Sequence, residues 1–161
     1  MKIQAIIYLI LIFCFSCSPE YVKDSEKIIY SFESVDGKKL VVVTDTISDY
    51  LACRFGTEGE FEFEYPDDKK DSWVQFQYSY YMRGGGPGNA GMDLNFLYFG
   101  DDDYNYIVFD EYAAENDTSI CGIRIINLKT KETVEIIGDI KTKLGTLIDF
   151  RFDDRIEIIE E

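Results

Sequence analysis

The chain has 161 residues, with 31 acidic against 16 basic side chains and no histidine. A surplus of 15 negative charges is repelled by nucleic acid and by anionic headgroups, because binding either requires phosphates to be neutralised by Lys and Arg. The missing imidazole removes the commonest general base, the usual serine triad and most zinc sites.

The first element is an unbroken apolar run from Ala5 to Phe15, preceded by Lys2 and followed by Ser16 and Cys17. A membrane-spanning helix needs about 20 apolar residues, whereas the apolar core of a secretory leader needs about 7 to 15. The run is of the second kind. With a small residue directly before Cys17, the segment resembles a bacterial lipoprotein signal. That resemblance implies cleavage after residue 16, lipid attachment at Cys17 and a membrane-anchored chain on the periplasmic or surface side of the cell envelope. Residues 17–26 are polar and predict a flexible tether, and residues 27–161 suit a single domain large enough to bury its own core. Lys2 is the only charge in the leader, so the charge balance of the domain is nearly that of the whole chain. Spread along the chain, it reads as a solvated exterior or as attraction for a cationic partner.

Period-two alternation dominates the body. "EFEFEY" at 60–65 puts Phe61, Phe63 and Tyr65 on one face and three glutamates on the other, the pattern of a strand with one wet face. "WVQFQYSYYM" at 73–82 predicts a strand with Val74, Phe76, Tyr78, Tyr80 and Met82 inward and Gln75, Gln77 and Ser79 outward. Further strands are predicted over 28–35, 39–44, 92–99, 104–112, 120–127, 132–137, 146–152 and 155–159. Segment 46–55 suits a short helix capped by Ser48 or, preferably, a strand. Turn chemistry separates them: "DG" at 36, "EG" at 58, "PDDKKD" at 66, "GDDDYN" at 100, "ENDTS" at 115, "LKTKE" at 128 and "GDIKTKLG" at 138. Short strands with hairpin-length connections predict an all-β antiparallel meander of about 8 to 10 strands, closed into a small barrel or sandwich.

Between two of these strands, residues 84–91 hold Gly84, Gly85, Gly86, Gly88, Gly91 and Pro87. A phosphate-binding loop needs amides at a helix start and a following Lys, and here the glycines lead into strand-like sequence. A long hairpin loop remains, either a plain connection or a recognition loop. The second reading makes Tyr80, Tyr81 and Arg83 contact anchors, with Asn89 adding adaptable hydrogen bonding. Asp101 to Asp103 lack the ligand spacing and central glycine of a calcium loop, and neither a metal nor a cofactor is expected. Same-face carboxylates such as Glu62 and Glu64 stand about 7 Å apart on any strand, so their spacing carries no catalytic signal, and no enzymatic activity is expected.

After export, Cys53 and Cys121 are the cysteines left besides Cys17. Each lies on an apolar strand face, so the sequence predicts a disulfide between them, with two buried free thiols as the alternative. The fragment "CRFGTEGEFEFEYP" at 53–66 is similar to the opening of the periplasmic lysozyme-inhibitor lipoproteins. The resemblance implies a lipid-anchored all-β inhibitor whose partner is a cationic hydrolase or toxin. A structural or accessory envelope lipoprotein is the competing expectation.

Overall fold

The computed structural model describes residues 20–86 and 88–160. Ten strands follow one another: β1 (Glu26–Ser34), β2 (Lys39–Asp45), β3 (Tyr50–Thr57), β4 (Glu60–Tyr65), β5 (Gln77–Arg83), β6 (Met92–Gly100), β7 (Tyr104–Ala113), β8 (Thr118–Asn127), β9 (Thr133–Gly145) and β10 (Glu157–Ile158). They form a single sheet in the order β10-β5-β6-β7-β8-β9-β1-β2-β3-β4, antiparallel throughout except where β10 runs parallel to β5. The protein is all-β, as its alternation predicts, and the sheet curls into a half-barrel.

Two single-turn 3-10 helices that the sequence reads as strand pack into the core side by side, with the Trp73 and Phe150 rings 6.4 Å apart. Ser72–Gln75 forms the first, so Trp73 turns into the core while Val74, expected inward, is 77% exposed. Asp71 enters this turn with φ 52, and the Leu51 N–H donates to Ser72 Oγ at 2.7 Å, docking the turn onto β3. Ile148–Phe152 forms the second, delivering Leu147 and Phe150 to the core where 146–152 predicts a strand.

The predicted turn at 138–145 is instead the second half of β9. Its first half pairs with β8 and its second with β1, so this strand carries the sheet from one half to the other across a bulge. Gly138 is required here by close approach: a Cβ would lie 2.4 Å from the Phe32 ring and 2.8 Å from Cys121 Sγ. Its glycine therefore imitates a turn signal inside a strand.

The core gathers Tyr30, Phe32, Phe55, Phe76, Tyr78 and Phe99, with Phe63, Tyr65 and Tyr106 packed against it. Phe63 and Tyr65 take the inward face that "EFEFEY" predicts, but the β3–β4 pairing shifts register between Phe55 and Gly56, and Phe61, expected inward, packs instead against Tyr21 at 5.1 Å between ring centroids. β2 is buried on both faces, which explains its uninterrupted "LVVV". Val41 and Val43 face outward from the half-barrel and are covered by Tyr21, Val22 and Ile28, a burial that stabilises by about 1.5–3 kcal/mol per side chain. Of the residues expected in the flexible tether, Tyr21, Val22 and Glu26 are packed onto the sheet, while Lys23, Asp24 and Ser25 between them are exposed.

Cys53 and Cys121 are both buried and both free, so the expected disulfide is absent. Their strands are separated by β2, β1 and β9, about 19 Å along the sheet at the usual strand spacing, whereas a disulfide needs Cα atoms about 4.4–6.8 Å apart. Sharing an inward face sends each thiol into apolar core, and burial pushes both thiol pKa values up.

Candidate functional site

The β5–β6 hairpin carries the residues singled out above, and the structure divides them. β5 pairs with β6 without a bulge from Gln77 against Tyr98 to Arg83 against Met92. Successive side chains on it point to opposite faces. Tyr80 therefore lies on the concave side, stacked on Tyr78 at 5.9 Å between ring centroids, and Tyr81 lies on the convex side. Both are substantially exposed, and so is Met82, which the alternation places inward. The face parity is as predicted, but the strand runs past the end of the core.

Arg83 is half-buried and turns back on the loop, its Nε donating to the Ala90 carbonyl at 3.0 Å. It braces the hairpin. Asn89 is exposed, and its backbone exchanges hydrogen bonds with Gly86 at 3.0 and 3.1 Å. A Cβ on Gly85 or on Gly91 would meet the other's backbone nitrogen at 3.5 or 3.4 Å, and the Ala114 N–H donates to the Gly91 carbonyl at 2.9 Å. The glycine-rich stretch prolongs the hairpin as a laced arm.

Behind Tyr80 lies a polar cluster the sequence reading missed. Arg151, from the second 3-10 helix, sits 4.5 Å over the Tyr80 ring, pairs with Asp93 and donates to Asn95 Oδ1 at 2.7 Å. Tyr78 donates its hydroxyl to the same oxygen at 2.6 Å. Burial pushes the Tyr78 hydroxyl up to about 12, opposed by Arg151, so it remains a neutral donor. Asn95 was legible in principle, as a polar residue on the face that carries Leu97 and Phe99. Arg151 was not, because its segment reads as strand.

At the other end of the sheet, Arg54 is fully buried beneath the N-terminal segment. Two of its nitrogens donate to the two oxygens of Glu26 at 2.7 Å each, another to Glu64 at 3.1 Å, and the Tyr21 carbonyl accepts a further bond at 2.8 Å. Burial alone would raise the Glu26 pKa, but the guanidinium, the Lys23 N–H and the Tyr50 hydroxyl outweigh it and hold it below the usual range. Burial and the Glu26 carboxylate push Tyr50 up to about 12.

No protein-family model, curated protein or solved structure matches this chain. Its chemistry is therefore read from these two ends and from the groove beside β4. That groove, of about 590 Å³, has Phe63, Tyr65, Tyr104 and Tyr106 among its walls and Glu62 and Asp101 at its rim. Among the described residues, no three His, Cys, Asp or Glu side chains gather in a way that could hold a metal. Cys17 lies outside the described residues.

Proposed function

We propose that this chain is an envelope-anchored protein-binding module, inhibitor- or immunity-like in kind. Lipid on Cys17 holds it to a membrane, and the β5–β6 hairpin contacts a cationic protein. The observation that carries the reading is the run Tyr80, Tyr81, Met82: three consecutive large side chains, 44%, 50% and 64% exposed, on a strand braced from behind by Arg151. Aromatic side chains on rigid supports are the residues that dominate interface energetics. Binding is favoured over catalysis because the polar groups behind the hairpin are engaged with one another. Arg151, Asp93, Asn95 and Tyr78 form a closed set, which suits a scaffold better than an acid or base. The net charge and the carboxylate-rimmed aromatic groove favour a cationic partner.

Affinity capture from envelope and secreted fractions, with Tyr81→Ala alongside the native chain, tests the contact. A basic protein retained by the native chain and lost with Tyr81→Ala is the expected result; equal capture by both returns the chain to the accessory reading. For the anchor, Cys17→Ser is expected to abolish metabolic labelling with a clickable palmitate and to release the chain into the soluble fraction.

A further inference from the structure

We propose that the free edge of β5, from Ser79 to Arg83, accepts an extended basic segment of another protein as an additional strand of the sheet. The inference rests on the binding reading above and specifies how the hairpin is used.

Among the described residues, pairing on the outer side of β5 stops early. β10 matches only Gln77 and Tyr78, and the Ile159 N–H closes that ladder by donating to the Tyr78 carbonyl at 2.9 Å. The main chain of Tyr78 therefore points away from β6. Main-chain groups alternate sides along an antiparallel strand, so the N–H and C=O of Tyr80 and Met82 point to the same outer side. Among the described residues nothing pairs with them there. An extended segment laid beside them meets two donors and two acceptors in strand register, with Tyr80 and Met82 on one face and Tyr81 on the other.

Proteins blunt such edges with charges, proline, bulges or covering segments. β4, the opposite edge strand, shows the first two, with Glu60, Glu62 and Glu64 along it and Pro66 directly after it. From Ser79 to Met82 there is no charge, no proline and no bulge, and Arg83, the one charge on this edge, turns back to the Ala90 carbonyl of its own loop. The occupant follows from the surroundings. Asp154, Glu157 and Glu160 on and beside β10 are exposed, and among the described residues none has a Lys or Arg nitrogen within 4.0 Å. A strand carrying lysine or arginine supplies the complementary charge. A second copy brings the same acidic flank, and five edge residues bury far less than the roughly 1,200 Å² of a stable dimer.

The probe is an octapeptide alternating lysine and valine, added to the full chain in non-ionic detergent. Controls are a peptide of the same composition with its lysines and valines segregated, and the alternating peptide with alternate backbone nitrogens methylated. Residue-resolved hydrogen exchange is expected to show the Tyr80 and Met82 amides slowed about tenfold or more at saturation, with Ser79 and Tyr81 already slow from pairing with β6. Met82→Pro removes an N–H that β6 does not use, so the fold is kept while affinity for the alternating peptide falls about tenfold. Unchanged Tyr80 and Met82 exchange, equal binding of the controls, or undiminished binding by a folded Met82→Pro overturns the inference. So does protection of those amides that appears with protein concentration and no peptide, which assigns the edge to a second copy. If Met82→Pro does not fold, exchange in the native chain decides alone. Absence of peptide binding at millimolar concentration also overturns the strand mode, and Tyr81-dependent capture then leaves the hairpin reading standing.

Discussion

The two ends of this sheet are built on opposite plans. At the β1–β4 end, β2 and β3 are buried on both faces: the inner one joins the aromatic core, and the outer one lies under Tyr21 and Val22, fastened by the Arg54–Glu26 pair. At the β5 end the inner face is buried only as far as Tyr78, after which Tyr80, Tyr81 and Met82 stand in solvent. Edge residues are treated the same way, glutamates along β4 and none along β5. One end is organised for stability. The other keeps its large side chains exposed, at a cost in burial.

The largest expected effect breaks the sealed end. Glu26→Ala leaves Arg54 buried with only the more exposed Glu64 as a charge partner, and should destabilise by about 3–5 kcal/mol in chemical denaturation. The double variant Glu26→Leu with Arg54→Met should recover most of that loss, because two apolar side chains carry no desolvation cost. Should Glu26→Ala unfold at the native midpoint, the sealing role of this pair is wrong.

Acid should separate the ends next. Glu26 and Glu64 have folded-state pKa values below their ordinary value of 4.5, so the stability they contribute is fully present above that value and is lost as pH falls through the lowered ones. Glu111, on β7 in the open half, is raised by burial, with Arg124 opposing. Its sign is the reverse: it favours folding at low pH and opposes it once ionised. Glu111→Gln should therefore stabilise near neutral pH and lose that advantage in acid, while the native chain weakens below about pH 4.5. Denaturation midpoints across that range check both signs.

A smaller effect probes how the halves are joined. Gly138→Ala drives a methyl into Phe32 and Cys121 and should cost about 1–3 kcal/mol, whereas Gly84→Ala, in open space on the hairpin arm, should change stability by less than about 0.5 kcal/mol. The smallest expected change in stability is at the β5 end. Tyr81→Ala should leave the thermal midpoint nearly unaltered, within about 0.5 kcal/mol, while reducing partner capture. A large loss of stability would mean that Tyr81 belongs to the fold.

Much of this was determined by the sequence alone, because side-chain alternation is a local property of extended backbone. "EFEFEY" needed no partner to show that Phe63 and Tyr65 share a face, although the register shift that turns Phe61 onto Tyr21 was not legible, and the Asp36-Gly37 and Glu58-Gly59 turns were legible because Gly37 and Gly59 adopt φ of 82 and 87, which glycine tolerates without strain. Tertiary structure alone decided the rest. Strand order keeps Cys53 and Cys121 apart although both are correctly placed on apolar faces. Trp73 and Phe150 enter the core from single helical turns because they pack on one another and, through Phe150, on Tyr78, contacts between segments far apart in the chain. Gly138 imitates a turn inside β9 because the Phe32 ring crosses over it. Tyr21, Val22 and Glu26, in a segment polar enough to suit a tether, are held on the sheet because Arg54 is buried beneath them and pairs with Glu26. Alternation says which way a side chain points; only the assembled sheet decides whether there is core or water on that side, and that is why Tyr80 and Met82 share a face with Phe76 and Tyr78 yet meet solvent.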